Sequence, residues 1–349
     1  MQDRPALAKP PVGVLYDADF GRDIGQALAL CLLYGLDGKN EARVISISVS
    51  KPNLHSAATA EVFGRFYAGA VSGAFGAVGR LLPTGMAADG GDPADTPIIK
   101  AILEKKNDAG KPVYEHGLRS INDTADPTPL LRNALTGQYD QNCLVILNGP
   151  ASNLARLLDL PDAKGWIERR ARVLVIAGSE GLRADLPAAR KVLAGWPSPI
   201  VFVTDEVGAA LPYPGASVET DFAWSASHPL VDAYRAAGKP MPYDAPGTGM
   251  AAVLYAIRGE KEKLFGLSAP GTLQIGADGV VGHAPATDGR HRLIEVDPAK
   301  KDLIVKTFVE LASAKPVPRA PRFRRVQQEQ EKQQQVPPAK PPAAEKKTP

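Results

Sequence analysis

The sequence predicts an α/β protein built on a mostly parallel open sheet with helices on both faces. Two observations carry this. Near-continuous apolar runs of strand length alternate with longer helix-type segments, as in sheets buried on both sides. Polar clusters fall just after those runs, where open parallel sheets place their ligands. With 349 residues and 44% hydrophobic side chains, the chain is long enough to bury one large core.

The strand-type runs, in order, are VGVLY (12–16), RVISISV (43–49), NCLVILN (142–148), RVLVIAG (172–178) and PIVFVTD (199–205). Each is rich in Val, Ile or Leu and bounded by turn-forming residues. Helical patterns follow at Asp23 to Tyr34, Ser56 to Ala70, Asn153 to Leu158, Leu186 to Leu193, Met250 to Arg258 and Lys301 to Ala314. TLQIG and HRLIEVD, ahead of the last helix, read as a hairpin-type appendage. There is no internal repeat and no linker before about residue 315. The expected organisation is a flexible lead over 1–11, a domain over 12–314 and a disordered tail over 315–349.

The formal charge of +3 is unevenly placed. From Lys315 onward there are nine Lys or Arg and three Glu, which leaves a mildly acidic body and a basic, Pro/Gln/Lys-rich tail with little to bury. Such a tail suits an anionic surface, but a single aromatic residue, Phe323, is too little interleaving to support nucleic acid. Cys31 lies in a helix pattern and Cys143 in a strand pattern, so both read as small buried hydrophobes and a disulfide framework is excluded. No run reaches the length of a membrane span. The start MQDRPALAKPP lacks a signal-peptide core yet also fits a mature end left after signal removal, so cytoplasmic and periplasmic or secreted locations both stay open.

The chemistry concentrates in DADFGRD (17–23), NGPASN (148–153) and TDE (204–206), each at a strand end. Asp17 and Asp19 alternate with Ala18, so on a continuing strand they point the same way, and Gly21 permits a sharp turn. Two such carboxylates suit a hard cation or an acid/base pair, and equally a loop bonded to its own amides. Asp23 with Gln26 three residues on fits a capping box at the first helix. In NGPASN, Ser152 or Asn153 is expected to cap and Asn148 to offer a carbonyl oxygen. The five histidines, His55, His116, His228, His283 and His291, show no zinc spacing, and no GxSxG elbow follows a strand.

Four segments in this order, DADFGRDIGQALAL, LVILNGPASNLARLLDLP, LPAARKVLAGWPSPIVFVTDEVG and AAVLYAIRGEKEKLFGLSAPGTLQIGADGVVGH, resemble the inosine/uridine-preferring nucleoside hydrolases, and the resemblance runs from Val12 to about Ala314. It implies a calcium ion at the strand carboxyl ends and hydrolysis of N-ribosidic bonds by a metal-bound water, through an oxocarbenium-like transition state. It implies Asp19 as the base with Asp17 orienting it, and Asp19, Asp23, the Asn148 carbonyl and Asp244 as metal partners. Glu180 and Asn153 would meet the substrate, a nucleoside or ribose-like molecule, in a protein assembled as a homo-oligomer.

The chain departs from the family pattern at several of these places. The family's pair of adjacent aspartates before the first helix aligns with Gly25 and Gln26 if the helix is matched, or with Asp23 and Ile24 if the loop is matched from its first residue, and its last metal carboxylate aligns with Gly249, five residues beyond Asp244. SEGLRADLPAAR carries Glu180 and Asp185 but not the family's Asn. The expectation is therefore a nucleoside hydrolase-like protein with calcium-dependent activity reduced or lost, or a non-catalytic relative that binds another ligand or a partner. A strand followed by Asp-x-Asp also opens the haloacid dehalogenase-like phosphatases, where Asp17 would be a nucleophile, but no later acidic pair for magnesium accompanies it.

Overall fold

The structure, a computed structural model, describes residues 11–68 and 82–317. The N-terminal lead, apart from Pro11, and the tail from 318 onward lie outside the described residues. The first half of the chain folds as β1 (Val12–Ala18), α1 (Ile24–Gly38), β2 (Ala42–Val49), α2 (Leu54–Ala68), β3 (Thr84–Met86), α3 (Pro97–Leu103), α4 (Pro127–Thr136), β4 (Cys143–Asn148), α5 (Ser152–Leu157) and α6 (Ala163–Arg170). Then come β5 (Ala171–Ala177), α7 (Glu180–Arg183), α8 (Leu186–Gly195), β6 (Ile200–Val203), α9 (Asp205–Ala210), α10 (Gly215–Thr220), α11 (Pro229–Ala236) and α12 (Thr248–Glu262). A last set, β7 (Gly266–Leu267), β8 (Gly271–Ile275), β9 (Val281–Pro285), β10 (His291–Glu295) and α13 (Lys301–Ala312), completes the fold.

The sheet has the order β3-β2-β1-β4-β5-β6-β10-β8-β9, with β7 on the side of β10. From β3 through β10 neighbouring strands run parallel, and β7, β8 and β9 are antiparallel additions. This is the mixed, mostly parallel open sheet that the alternating apolar runs imply.

The hairpin expectation holds in part: HRLIE meets TLQIG antiparallel at His291 and Gly271, but TLQIG forms its hairpin with Val281–Pro285 and HRLIE joins the main sheet parallel to β6. The cause is an Asp-Gly turn: Gly279 adopts φ +75°, and the Asp278 carboxylate accepts from Val280 N at 3.0 Å.

Two cores cover the two faces. α1, α12 and α13 pack on one, whereas α4, α5, α6 and α8 form the other. The period of two along β1 divides its side chains accordingly: Val14, Tyr16 and Ala18 enter the first core and Leu15 the second. Both cysteines are free and buried, as expected of small hydrophobes.

α1 is buried along almost its whole length, from Ile24 to Leu36, because it packs on β2 and against α12 and α13. Each of its fully buried leucines contributes about 1.5–3 kcal/mol. Its N-terminus is thereby fixed against the carboxyl ends of β1 and β4. Whatever stands in its first turn is held there rigidly.

Candidate functional site

β1 ends at Ala18, and the alternation of its side chains ends with it. The chain turns at Gly21, whose φ of +93° is open to glycine and strained for other residues. Asp17 and Asp19 consequently address different partners rather than one cation. On the α5 side, Asp17 Oδ2 accepts from Ser48 Oγ and from Asn153 Nδ2 at 2.8 Å. On the α1 side, Asp19 Oδ1 accepts from Gln26 Nε2 and from Arg22 Nη1 at 2.8 Å.

Asp23 caps α1 as its spacing implies, with Gln26 N donating to its Oδ1 at 3.3 Å. The other half of the expected capping box is absent. Instead of reaching back, the Gln26 side chain reaches inward, and Nε2 also donates to the Asn148 carbonyl at 3.0 Å. It is 1% exposed, so this is a buried bridge between β1 and β4.

Arg22 supplies the positive charge. Besides Asp19, its Nε donates to Asp23 Oδ2 at 2.9 Å and lies 3.9 Å from Glu180 Oε1. Burial opposes its charge, but Asp19, Asp23 and Glu180 more than offset this and hold the guanidinium above its ordinary value. Burial raises the Asp19 carboxyl, while Arg22 and Gln26 pull it back. Asp17 is raised to about 7 by burial, against the hydrogen bonds from Ser48 and Asn153, and its Oδ1 has no hydrogen-bond partner among the described residues. Lys51, buried just beyond β2, has its amine lowered by desolvation despite Asp19, Asp92 and Asp95.

The structure therefore brings Asp19, Asp23, the Asn148 carbonyl and Glu180 together around Arg22 and Gln26, and sets Asp17 with Asn153 behind them. Neither Ser152 nor Asn153 caps α5, correcting that expectation: Ser152 Oγ donates to Asp185 Oδ2 at 2.7 Å and Asn153 is drawn to Asp17. Asp244 is exposed, and its described hydrogen bond is from Gly215 N at 3.0 Å, outside this cluster. Arg22 and Lys51 are the charged residues of this cluster that spacing did not single out; for Arg22, its place inside DADFGRD was the available signal.

Calcium takes about six to eight oxygens, several of them carboxylate. The residues present do not fit it. Asp19 Oδ1 and the Asn148 carbonyl, two of the implied metal oxygens, are spanned by an amide nitrogen. Asp23 is spent on the helix amide and on Arg22. At Gly249, where the last carboxylate aligns, even a Cβ would stand 2.5 Å from Asn148 Nδ2, which itself donates to Tyr16 Oη at 2.9 Å. Among the described residues, no three His, Cys, Asp or Glu side chains converge as a metal site.

No family model and no curated protein matches the chain. Solved structures do. An inosine-guanosine nucleoside hydrolase superposes with a TM-score of 0.62 at 15% identity, covering 86% of this chain and 98% of its own. The purine-preferring ribonucleoside hydrolase from Gardnerella vaginalis gives 0.61 at 15% identity, over 86% and 99%. The type III effector protein XopQ, solved complexed with adenosine diphosphate ribose, gives 0.57 at 15% identity, over 89% and 94%. The chain has the nucleoside hydrolase fold.

Proposed function

We propose that this protein binds a ribose-bearing small molecule at the strand carboxyl ends, beside Arg22 and Glu180, and does not hydrolyse nucleosides by a calcium-bound water. The observation that carries the reading is the bridge from Gln26 Nε2 to Asp19 and to the Asn148 carbonyl. With the helix aligned to the family pattern, a donor stands where a metal carboxylate is expected, and the two remaining oxygens share that amide donor. Arg22 adds a full charge beside them. Without a cation to polarise it, a water at this site keeps its ordinary acidity, and Asp19 Oδ1 is already bonded to two donors of the protein.

Ligand binding is supported by the polar groups at the exposed edge of the cluster. Glu180 is exposed beside Arg22, and a guanidinium with carboxylates on either side offers both donors and acceptors to a sugar diol. That XopQ was solved with adenosine diphosphate ribose makes a ribose-containing ligand the first to try.

The experiment is a pair of assays on one preparation. Ribose release from a panel of purine and pyrimidine nucleosides, with calcium added, is expected to match buffer alone. Calorimetry with inosine and with adenosine diphosphate ribose is expected to show saturable binding of at least one, unaltered by a chelator. Calcium-stimulated ribose release overturns the proposal.

A further inference from the structure

At the other end of the sheet, the starts of β5, β6 and β10 line a half-open cavity of about 370 Å³ with β7 and residues 255–257 of α12. Its wall carries Arg172, Arg290 and Arg292, and Val173, Val201 and Ile257 supply an apolar lining.

Each guanidinium is tethered to a backbone carbonyl. Arg172 Nε donates to Gln141 O at 3.0 Å, Arg290 Nη1 to Pro197 O at 2.6 Å and Arg292 Nη1 to Ser268 O at 2.8 Å. These bonds fix position without neutralising charge. Among the described residues, the ion pair made by the three is Arg290 with Glu168, at 4.0 Å and with both side chains more than half exposed. That pair is wide and solvated, and it offsets little.

We propose that this cavity binds a phosphorylated small molecule, its phosphoryl group held by Arg172, Arg290 and Arg292 and its less polar part against Val173, Val201 and Ile257. Guanidinium forks match phosphoryl oxygens, and each arginine keeps most of its N–H donors after the backbone tether. Tethering lowers the ordering cost of binding. The volume falls within the range of small-molecule pockets, about 300–1,000 Å³. The Asp19 cluster takes no part, so this site stands or falls separately from the function proposed above.

The probe is pyrophosphate, titrated calorimetrically into the full chain at fixed ionic strength, with sulfate as the comparison. Saturable binding that Arg172→Gln with Arg292→Gln weakens at least tenfold is expected. Equal binding to both proteins, equal response to sulfate, or no saturable heat in the unmodified protein overturns the proposal. If the double variant fails to fold, the NMR signals of the arginine Nε–H groups in the unmodified protein decide it. Pyrophosphate is then expected to shift Arg172, Arg290 and Arg292, and shifts confined to other residues overturn it.

Discussion

Gln26 Nε2 donates to Asp19 Oδ1 from the first turn of α1, and the same nitrogen reaches the Asn148 carbonyl 3.0 Å away. An amide group thus joins two oxygens that the family resemblance assigns to a cation. A carboxylate at position 26 would give those oxygens a third acceptor and call for a metal; an amide gives them a donor.

Exchanging that donor tests the relationship. Gln26→Leu leaves the Asn148 carbonyl without this partner and removes one donor from Asp19, a loss of about 1–3 kcal/mol in urea unfolding. Gln26→Glu places a buried carboxylate against Asp19 and is expected to cost roughly 3 kcal/mol in chelator. Added calcium is expected to raise the melting temperature of Gln26→Glu and to leave the unmodified protein unchanged.

Arg22→Gln tests the second positive partner. Since Arg22 holds the Asp19 carboxyl down against burial, its removal is expected to move that carboxyl further above its ordinary range, read by carbon-13 NMR of the carboxyl group. Arg22 is 21% exposed, so the stability loss is expected to be modest, about 1 kcal/mol.

Restoring a carboxylate at the start of α12 is expected to fail. A Cβ at Gly249 would lie 2.5 Å from Asn148 Nδ2 and 3.0 Å from Ala29 Cβ. Gly249→Asp is expected to lose about 1–3 kcal/mol by overpacking and to gain no calcium affinity in calorimetry.

His228 sets part of the acid limit. Its Nδ1 accepts from Leu230 N at 3.1 Å, its Nε2 lies 3.3 Å from Tyr67 Oη, and Phe66, Phe222 and Trp224 surround the ring. Burial pushes its pKa down to about 3. The unfolded chain therefore binds a proton that the folded protein refuses, and stability falls as the pH drops from about 6.5 towards 3, by up to about 1.4 kcal/mol per pH unit. His228→Asn keeps a cap acceptor and is expected to flatten unfolding free energy against pH across that window.

Much of the fold was legible in the sequence. The runs at 12–16, 43–49, 142–148, 172–178 and 199–205 all fall on observed strands, because burial on both faces demands continuous apolar residues. Val281–Pro285 was not legible: its side chains are mostly exposed, and only the Asp-Gly before it marks a turn. In the site, the spacing of Asp23 and Gln26 announced a cap, and the cap is there. It could not announce where the Gln26 side chain goes, since its partner Asn148 lies 122 residues away and meets it only through the β1–β4 pairing. The sequence showed that a carboxylate of the family pattern is absent from this loop; the role of the Gln26 amide as a donor required its neighbours.

The most direct test is a calcium titration by calorimetry on chelator-treated protein, run beside Asp19→Ala. The account predicts no saturable heat in either. One-site calcium binding that Asp19→Ala abolishes would contradict it, because the Gln26 amide and the ion would then have to compete for the same oxygens and the ion would win.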